Sequence, residues 1–460
     1  MRTHLDLDTQ SRDGGVSVSR RAVLLAGLAA AGCGQAERPT IKVIRHQSST
    51  DPQTQALREI LDRRVNALRN DDERTFLADI DDRNRRLISE QKMVFANLRQ
   101  LEFTRFDYVL DRTSHAEEGR LLRFDPVIQI TQLVTDVQTD GFAPAETFQY
   151  TLVPRHDKLA IVEIKGLDAH TAEELGVNGP MADAPWNYTP LHIIRAGKVW
   201  IAGDGSVTDL EQYADAARTH LRDIEAIWGD RLTFPGHILF LTKNTQNFKN
   251  WYSIGAYDNF DPRVEGAQIP LQGVRKNGEA YSGQYAGARI VVNLRGSGPW
   301  SDPELVMRHE LAHAVTARAT SVEAGFGGLV TAAPRWAIEG FARWVETVGS
   351  PSRMADLRFV VRVAVLDGRF SGKPPESDAF YGENVAFNYD LGASVFAYVD
   401  KVKGQNAAVE FYASVIEHGE IGGASLVETP TFDGICRRVV GVRGRAFLQR
   451  WAAFVRGGAI

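Results

Sequence analysis

Residues 302–316 of this 460-residue chain read DPELVMRHELAHAVT. Asp302 has the side chain of a helix N-cap, and Pro303 suits the first helical position, where no N–H partner is needed. Leu305, Val306, Leu311, Ala312 and Val315 then recur at helical spacing and give the segment an apolar face. On such a helix His309 and His313 stand one turn apart on the same side, so two imidazole nitrogens can meet one zinc ion at about 2.0–2.1 Å. Glu310 lies one residue round from the first histidine, within reach of a water on that ion but not placed to ligate it. The spacing therefore predicts a helix from Pro303 that carries a His-Glu-x-x-His metal motif with Glu310 as general base. Only two cysteines occur, Cys33 and Cys436, which excludes a disulfide framework and a thiolate zinc site and leaves His and carboxylate ligands.

A second helix is expected in residues 333–349, APRWAIEGFARWVETVG. It begins after Pro334, ends at Gly349 and places Trp336, Ile338, Phe341, Ala342 and Val345 at apolar positions. Taken alone, Glu339 is an ordinary helix-surface carboxylate. Combined with the upstream motif, the pattern W-x-x-E-G-x-A-x-W-x-E resembles the glutamate helix of the gluzincin metallopeptidases, the thermolysin and aminopeptidase N group of the peptidase MA-like family. The resemblance extends over about residues 206–460, more than half the chain. It implies that Glu339 completes a His2Glu ligand set and leaves a fourth position for water. It further implies hydrolysis of peptide bonds, with amide hydrolysis of a non-peptide substrate left open. The strand Arg289–Asn293 would be an edge strand able to pair with an extended substrate. A tyrosine from the later helical half would donate to the oxyanion: Tyr389, at the start of the helix opened by residues 387–392, or else Tyr381.

Two departures from the family pattern stand out. No Gly-x-Met-x-Asn segment precedes the motif, which argues against an aminopeptidase that binds a free N-terminus. Arg343 occupies the place, four residues after the glutamate, where thermolysin-like chains carry an Asp, so Glu346 becomes the candidate carboxylate behind a zinc-bound histidine.

At the N-terminus, Ser19-Arg20-Arg21 runs into the apolar segment Ala22–Gly32. Such a short segment, at about 1.5 Å per residue, cannot cross a bilayer core of about 30 Å, and the layout is that of a signal peptide. The paired arginines resemble a twin-arginine export signal, and Cys33 sits where bacterial lipoproteins carry their acylated cysteine. Ala30 stands where that pattern prefers Leu, so cleavage near Ala31 is the alternative. The expected localisation is extracytoplasmic, anchored to the membrane through a lipidated Cys33, with residues 34–53 as a tether.

Between tether and metal motif, helical periods at Leu57–Leu68, Phe76–Ile80 and Leu87–Leu98 are followed by two-residue alternation around residues 106–110, 128–130, 148–152 and 159–163, and by a hairpin at His192–Ile201. Helices packed on one face of a curved antiparallel sheet are expected over residues 54–203, in an α+β chain. This order of elements resembles the cone-shaped domains of the nuclear-transport-factor-like superfamily. The acidic residues Asp71, Asp72, Asp79, Asp81 and Asp82 read as helix-start and solvent-face charge. Gly203-Asp204-Gly205 marks a boundary, after which a helix over Leu210–Trp228 and strands at His237–Thr242 and Ala288–Asn293 lead to the motif. Residues 250–285, aromatic and Gly-rich, read as an active-site loop or as irregular packing. Segments Met354–Leu366 and Asn388–Val402 and the tail around Trp451 form the helical half that closes the cleft. His237 and His418 have no ligand spacing and read as structural. The net charge of −5 gives no basic footprint for nucleic acid. The expected partners are a peptide or protein substrate and the membrane. The alternatives are a catalytically inactive peptidase-like lipoprotein acting as a scaffold, and a recognition module built on the cone-like half.

Overall fold

The computed structural model describes residues 42–44, 51–155, 158–167, 184–253, 263–296, 301–320, 333–418, 425–458 and 460. The expected signal segment 1–33 lies outside them. Within the expected tether, β1 (Lys42–Ile44) pairs antiparallel with a later strand. Three helices follow: α1 (Pro52–Arg69), α2 (Glu73–Leu77) and α3 (Arg85–Leu98). Each has its own cap, the side chains of Asp51, Asp72 and Asn84 accepting from Thr54, Thr75 and Leu87 N–H groups. The strands β2 (Phe103–Val109), β3 (Ser114–Glu118), β4 (Leu121–Leu133), β5 (Ala143–Arg155) and β6 (Lys158–Gly166) are antiparallel.

Beyond them come β7 (Leu191–Ala196), β8 (Val199–Asp204), α4 (Leu210–Trp228), β9 (His237–Thr242), α5 (Thr245–Ser253), β10 (Gly266–Val274) and β11 (Ala280–Asn293). The rest is helical: α6 (Pro303–Thr316), α7 (Arg335–Thr347), α8 (Pro351–Leu366), α9 (Val385–Lys403), α10 (Gln405–His418), α11 (Pro430–Val439) and α12 (Gly444–Arg456). The class is α+β with a mixed sheet, in the order β1-β3-β4-β5-β10-β11-β9-β8-β7, with β2 on β4 and β6 on β5. β8, β9 and β11 run parallel, and β5 meets β10 at Gly273 and Val274.

Three expectations change. The strand containing Arg289–Asn293 is not an edge: β11 is hydrogen-bonded to β10 on one side and to β9 on the other. The one-sided strand beside it is β10, which from Gly266 to Leu271 pairs only with β11 among the described residues. The hairpin expected to close the first sheet, β7–β8, extends the second sheet instead, through β8 on β9. Finally, much of residues 250–285 is regular structure. Register shifts at Leu271/Gln272 and Gln272/Val274 break the two-residue alternation, so the β10–β11 hairpin leaves little periodic trace in the sequence.

Alternation across β9 and β11 splits the core. Leu239, Leu241, Ile290 and Val292 pack with Met307, Leu311 and Val315 of α6. Their neighbours Ile238, Phe240 and Val291 face the other way and join Leu57, Leu61 and Val65 of α1 in a second cluster. One sheet thus has the metal-motif helix on one face and shares a core with the N-terminal helices through the other. Residues 41–460 cluster as one unit.

Candidate metal centre

Helix α6 begins as its sequence dictates, Asp302 accepting from the Leu305 N–H at 3.2 Å and Pro303 filling the first turn. His309 and His313 project from it toward Glu339 on α7. The two Nε2 atoms are 3.0 Å apart, and each lies 3.2 Å from Glu339 Oε2. Two ligands of a tetrahedral zinc, each at about 2.0–2.1 Å, are about 3.3 Å apart, so this triangle has the size such an ion requires. His309, Glu310, Glu339 and Glu346 are all buried.

The proton inventory points the same way. His309 Nδ1 lies 2.7 Å from Glu346 Oε1. With the proton on that nitrogen, as the carboxylate partner assigns it, Nε2 presents a lone pair to the Glu339 carboxylate and to His313. Lone pairs and a carboxylate converging on one point call for positive charge between them, which either a proton or a metal ion can supply. Burial alone would lower the His309 pKa, but with no ion bound Glu339 and Glu346 reverse this and push it up to about 10, so a proton occupies the place a metal would take and must leave when one binds. Burial would likewise raise Glu339, yet His313 and His309 hold it well below the usual carboxylate range. Four buried carboxylates, Glu310, Glu339, Glu346 and Asp390, surround the centre. Arg343 bonds two of them, while buried Arg308 donates to the Val345 carbonyl and also faces Asp223 at 3.6 Å and the charge of Glu346. The donor set and this excess of negative charge fit a divalent cation held by His309, His313 and Glu339.

Glu310 does not join the triangle. Strand β10 crosses α6 beside it, and Gly266 makes the approach possible: a Cβ there would stand 3.0 Å from Glu310 Oε1 and 2.6 Å from Val306 Cγ1. Burial raises the Glu310 pKa against the opposing pull of His309 and His313. A carboxyl poised in this way can both take and return a proton.

Both sequence-nominated tyrosines reach the centre, in different ways. Tyr381 O–H donates to Glu339 Oε1 at 2.5 Å, and the Arg335 guanidinium lies over its ring at 4.6 Å. The Tyr389 ring centroid is 5.7 Å from that of His309. Burial first, then Glu339, Tyr381 and Glu310, push the Tyr389 pKa well above the ordinary phenol range. Tyr389 therefore stays a hydroxyl donor.

Glu346 lies where its nomination required, behind His309. Arg343 and Asp390 were not assigned a role by the sequence, yet they continue the same hydrogen-bonded chain. Also missed was the crossing of α7 and α9, where Gly340 and Gly392 let the backbones touch. A Cβ on Gly340 would lie 2.4 Å from the Gly392 carbonyl carbon, and one on Gly392 would lie 2.6 Å from the Trp336 carbonyl oxygen. The available signal was a glycine inside each helix, which costs about 1 kcal/mol relative to Ala unless something requires it. Compared with known proteins, the chain matches no family model and no curated protein sequence.

Proposed function

We propose that the protein is a zinc-dependent peptidase of gluzincin type, exported and held at the outer face of a bacterial membrane through Cys33. The observation that supports this most is the triangle of His309, His313 and Glu339 with Glu310 beside it and outside the ligand set. Zinc bound there would polarise the scissile carbonyl and acidify a water molecule. Glu310 would take a proton from a water molecule as the water oxygen bonds to the carbonyl carbon, and would return it to the amine nitrogen as the C–N bond breaks. Tyr389 would donate a hydrogen bond from its O–H to the developing oxyanion, and Tyr381 O–H donates to Glu339 Oε1. On the side turned away from β11, strand β10 leaves some backbone groups between Gly266 and Leu271 for an extended substrate next to Glu310, although Pro270 has no N–H and the Gln268 backbone already bonds Glu310.

Digestion of a mixed peptide library by the purified protein, with and without a chelator, tests the reading. Cleavage that stops on chelation, returns with zinc and is absent from Glu310→Gln is expected. A zinc-loaded protein that cleaves nothing would favour the scaffold alternative.

A further inference from the structure

Behind the ligands, a chain of hydrogen bonds runs through three helices. Glu346 on α7 faces His309 on α6 with Oε1, at 2.7 Å from Nδ1, and accepts from Arg343 Nη1 with Oε2. Arg343 Nε then donates to Asp390 Oδ1 on α9 at 2.7 Å. We propose that Arg343 and Asp390 are positioning residues for the metal centre, acting on His309 only through Glu346. This rests on the metal reading given above.

The physical case comes from how each group is occupied. Among the described residues each oxygen of Glu346 has one hydrogen-bond partner, so the carboxylate is fixed in one orientation, and through it the His309 ring and its proton-bearing nitrogen are fixed too. Glu346 and Asp390 are both buried, and without the guanidinium between them they would be like charges in a poorly solvated space. Arginine can serve both at once because Nε and Nη1 point along different edges of a planar fork, which a lysine ammonium cannot reproduce. Asp390 also follows Tyr389 directly on α9, whose ring lies against His309. The same link therefore registers the tyrosine helix to the metal ligands. Arg343 stands where the gluzincin resemblance led to an Asp. Here the carboxylate that meets the histidine sits three residues further along α7, and the arginine braces it.

Zinc affinity of the full chain, measured by competition with a chromogenic chelator, tests this without reference to turnover. Glu346→Gln is expected to weaken zinc binding by about 10- to 100-fold, the range typical of outer partners of metal-bound histidines. Arg343→Met should weaken it about tenfold and Arg343→Lys by less. In the Glu346→Gln background, Arg343→Met should add nothing, because its route to the metal is already cut. Asp390→Asn, nearly isosteric, repeats the comparison if Arg343→Met fails to fold: its smaller loss should also vanish in that background. Losses that simply add would make Arg343 and Asp390 part of the general packing and overturn the relay while leaving the metal reading intact. A parent chain that binds no zinc would overturn both.

Discussion

At the scale of single residues, Tyr381 and Tyr389, the two alternatives in the sequence, both stand beside Glu339. Tyr381 donates its hydroxyl hydrogen to Glu339, and Tyr389, which also interacts with Glu339, is in addition packed against His309 with Glu310 nearby. Tyr389→Phe removes only the hydroxyl, and turnover is expected to fall about 100- to 1,000-fold with zinc content unchanged. Near-normal turnover would move the oxyanion role to Tyr381 or another donor. His237 illustrates a different residue effect. Read as structural, it proves to be buried in β9 with neither ring nitrogen hydrogen-bonded among the described residues. Burial first, then Lys198, lowers its pKa to about 3. A histidine whose folded pKa is lowered contributes stability above its unfolded value of about 6.5, and that stability is lost as the pH falls toward 3, because the unfolded chain binds the proton more readily. His237→Phe should shrink the loss of unfolding free energy between pH 7 and pH 5 by about 2 kcal/mol. An unchanged pH slope in urea titrations would show that His237 is protonated in the fold. No periodicity or spacing marks such a residue, since burial is a property of the assembled sheet.

At the scale of elements, legibility followed local chemistry. Helices α6 and α7 could be read because caps, prolines and a repeating apolar face write them into short stretches. Strand β10 could not, because its bulges scramble the alternation and its glycines are set by distant neighbours: Gly266 by Glu310, and Gly273 by Phe142 and Ala286. The same holds for the α7–α9 crossing, which brings Tyr389 and Asp390 to the metal helix. Gly340→Ala should gain the usual helix propensity yet destabilise the protein by about 1–3 kcal/mol, because backbone atoms of α9 have nowhere to move. Gly434→Ala, inside α11 with open space around the new methyl, should instead stabilise by up to about 1 kcal/mol. Denaturant midpoints of the two variants should move in opposite directions. A stable Gly340→Ala protein would mean that the helices do not meet at this point.

At the scale of the whole molecule, both halves read from the sequence contribute to each of the two main core clusters. Arg289 of β11 makes two hydrogen bonds, at 2.7 and 3.0 Å, to Asp136, which follows β4, and both side chains are buried. Nearby, Phe142 stacks on Tyr281 with ring centroids 3.8 Å apart, and the Val137 N–H donates to the Ala286 carbonyl. The element types of each half were legible, but these links join residues more than a hundred positions apart, and local pattern carries no trace of them. Asp136→Ala leaves a buried guanidinium unpaired and should cost about 3–5 kcal/mol. Expressed alone, residues 206–460 should fail to give a cooperative unfolding transition, since they would expose Ile238, Phe240 and Val291. Metal analysis of the purified protein after dialysis against zinc tests whether His309, His313 and Glu339 hold an ion. About one zinc per chain is expected in the parent and in Glu310→Gln, with almost none in His313→Ala; equal zinc contents in all three, or none in the parent, would contradict the assignment of His309, His313 and Glu339 as its ligands.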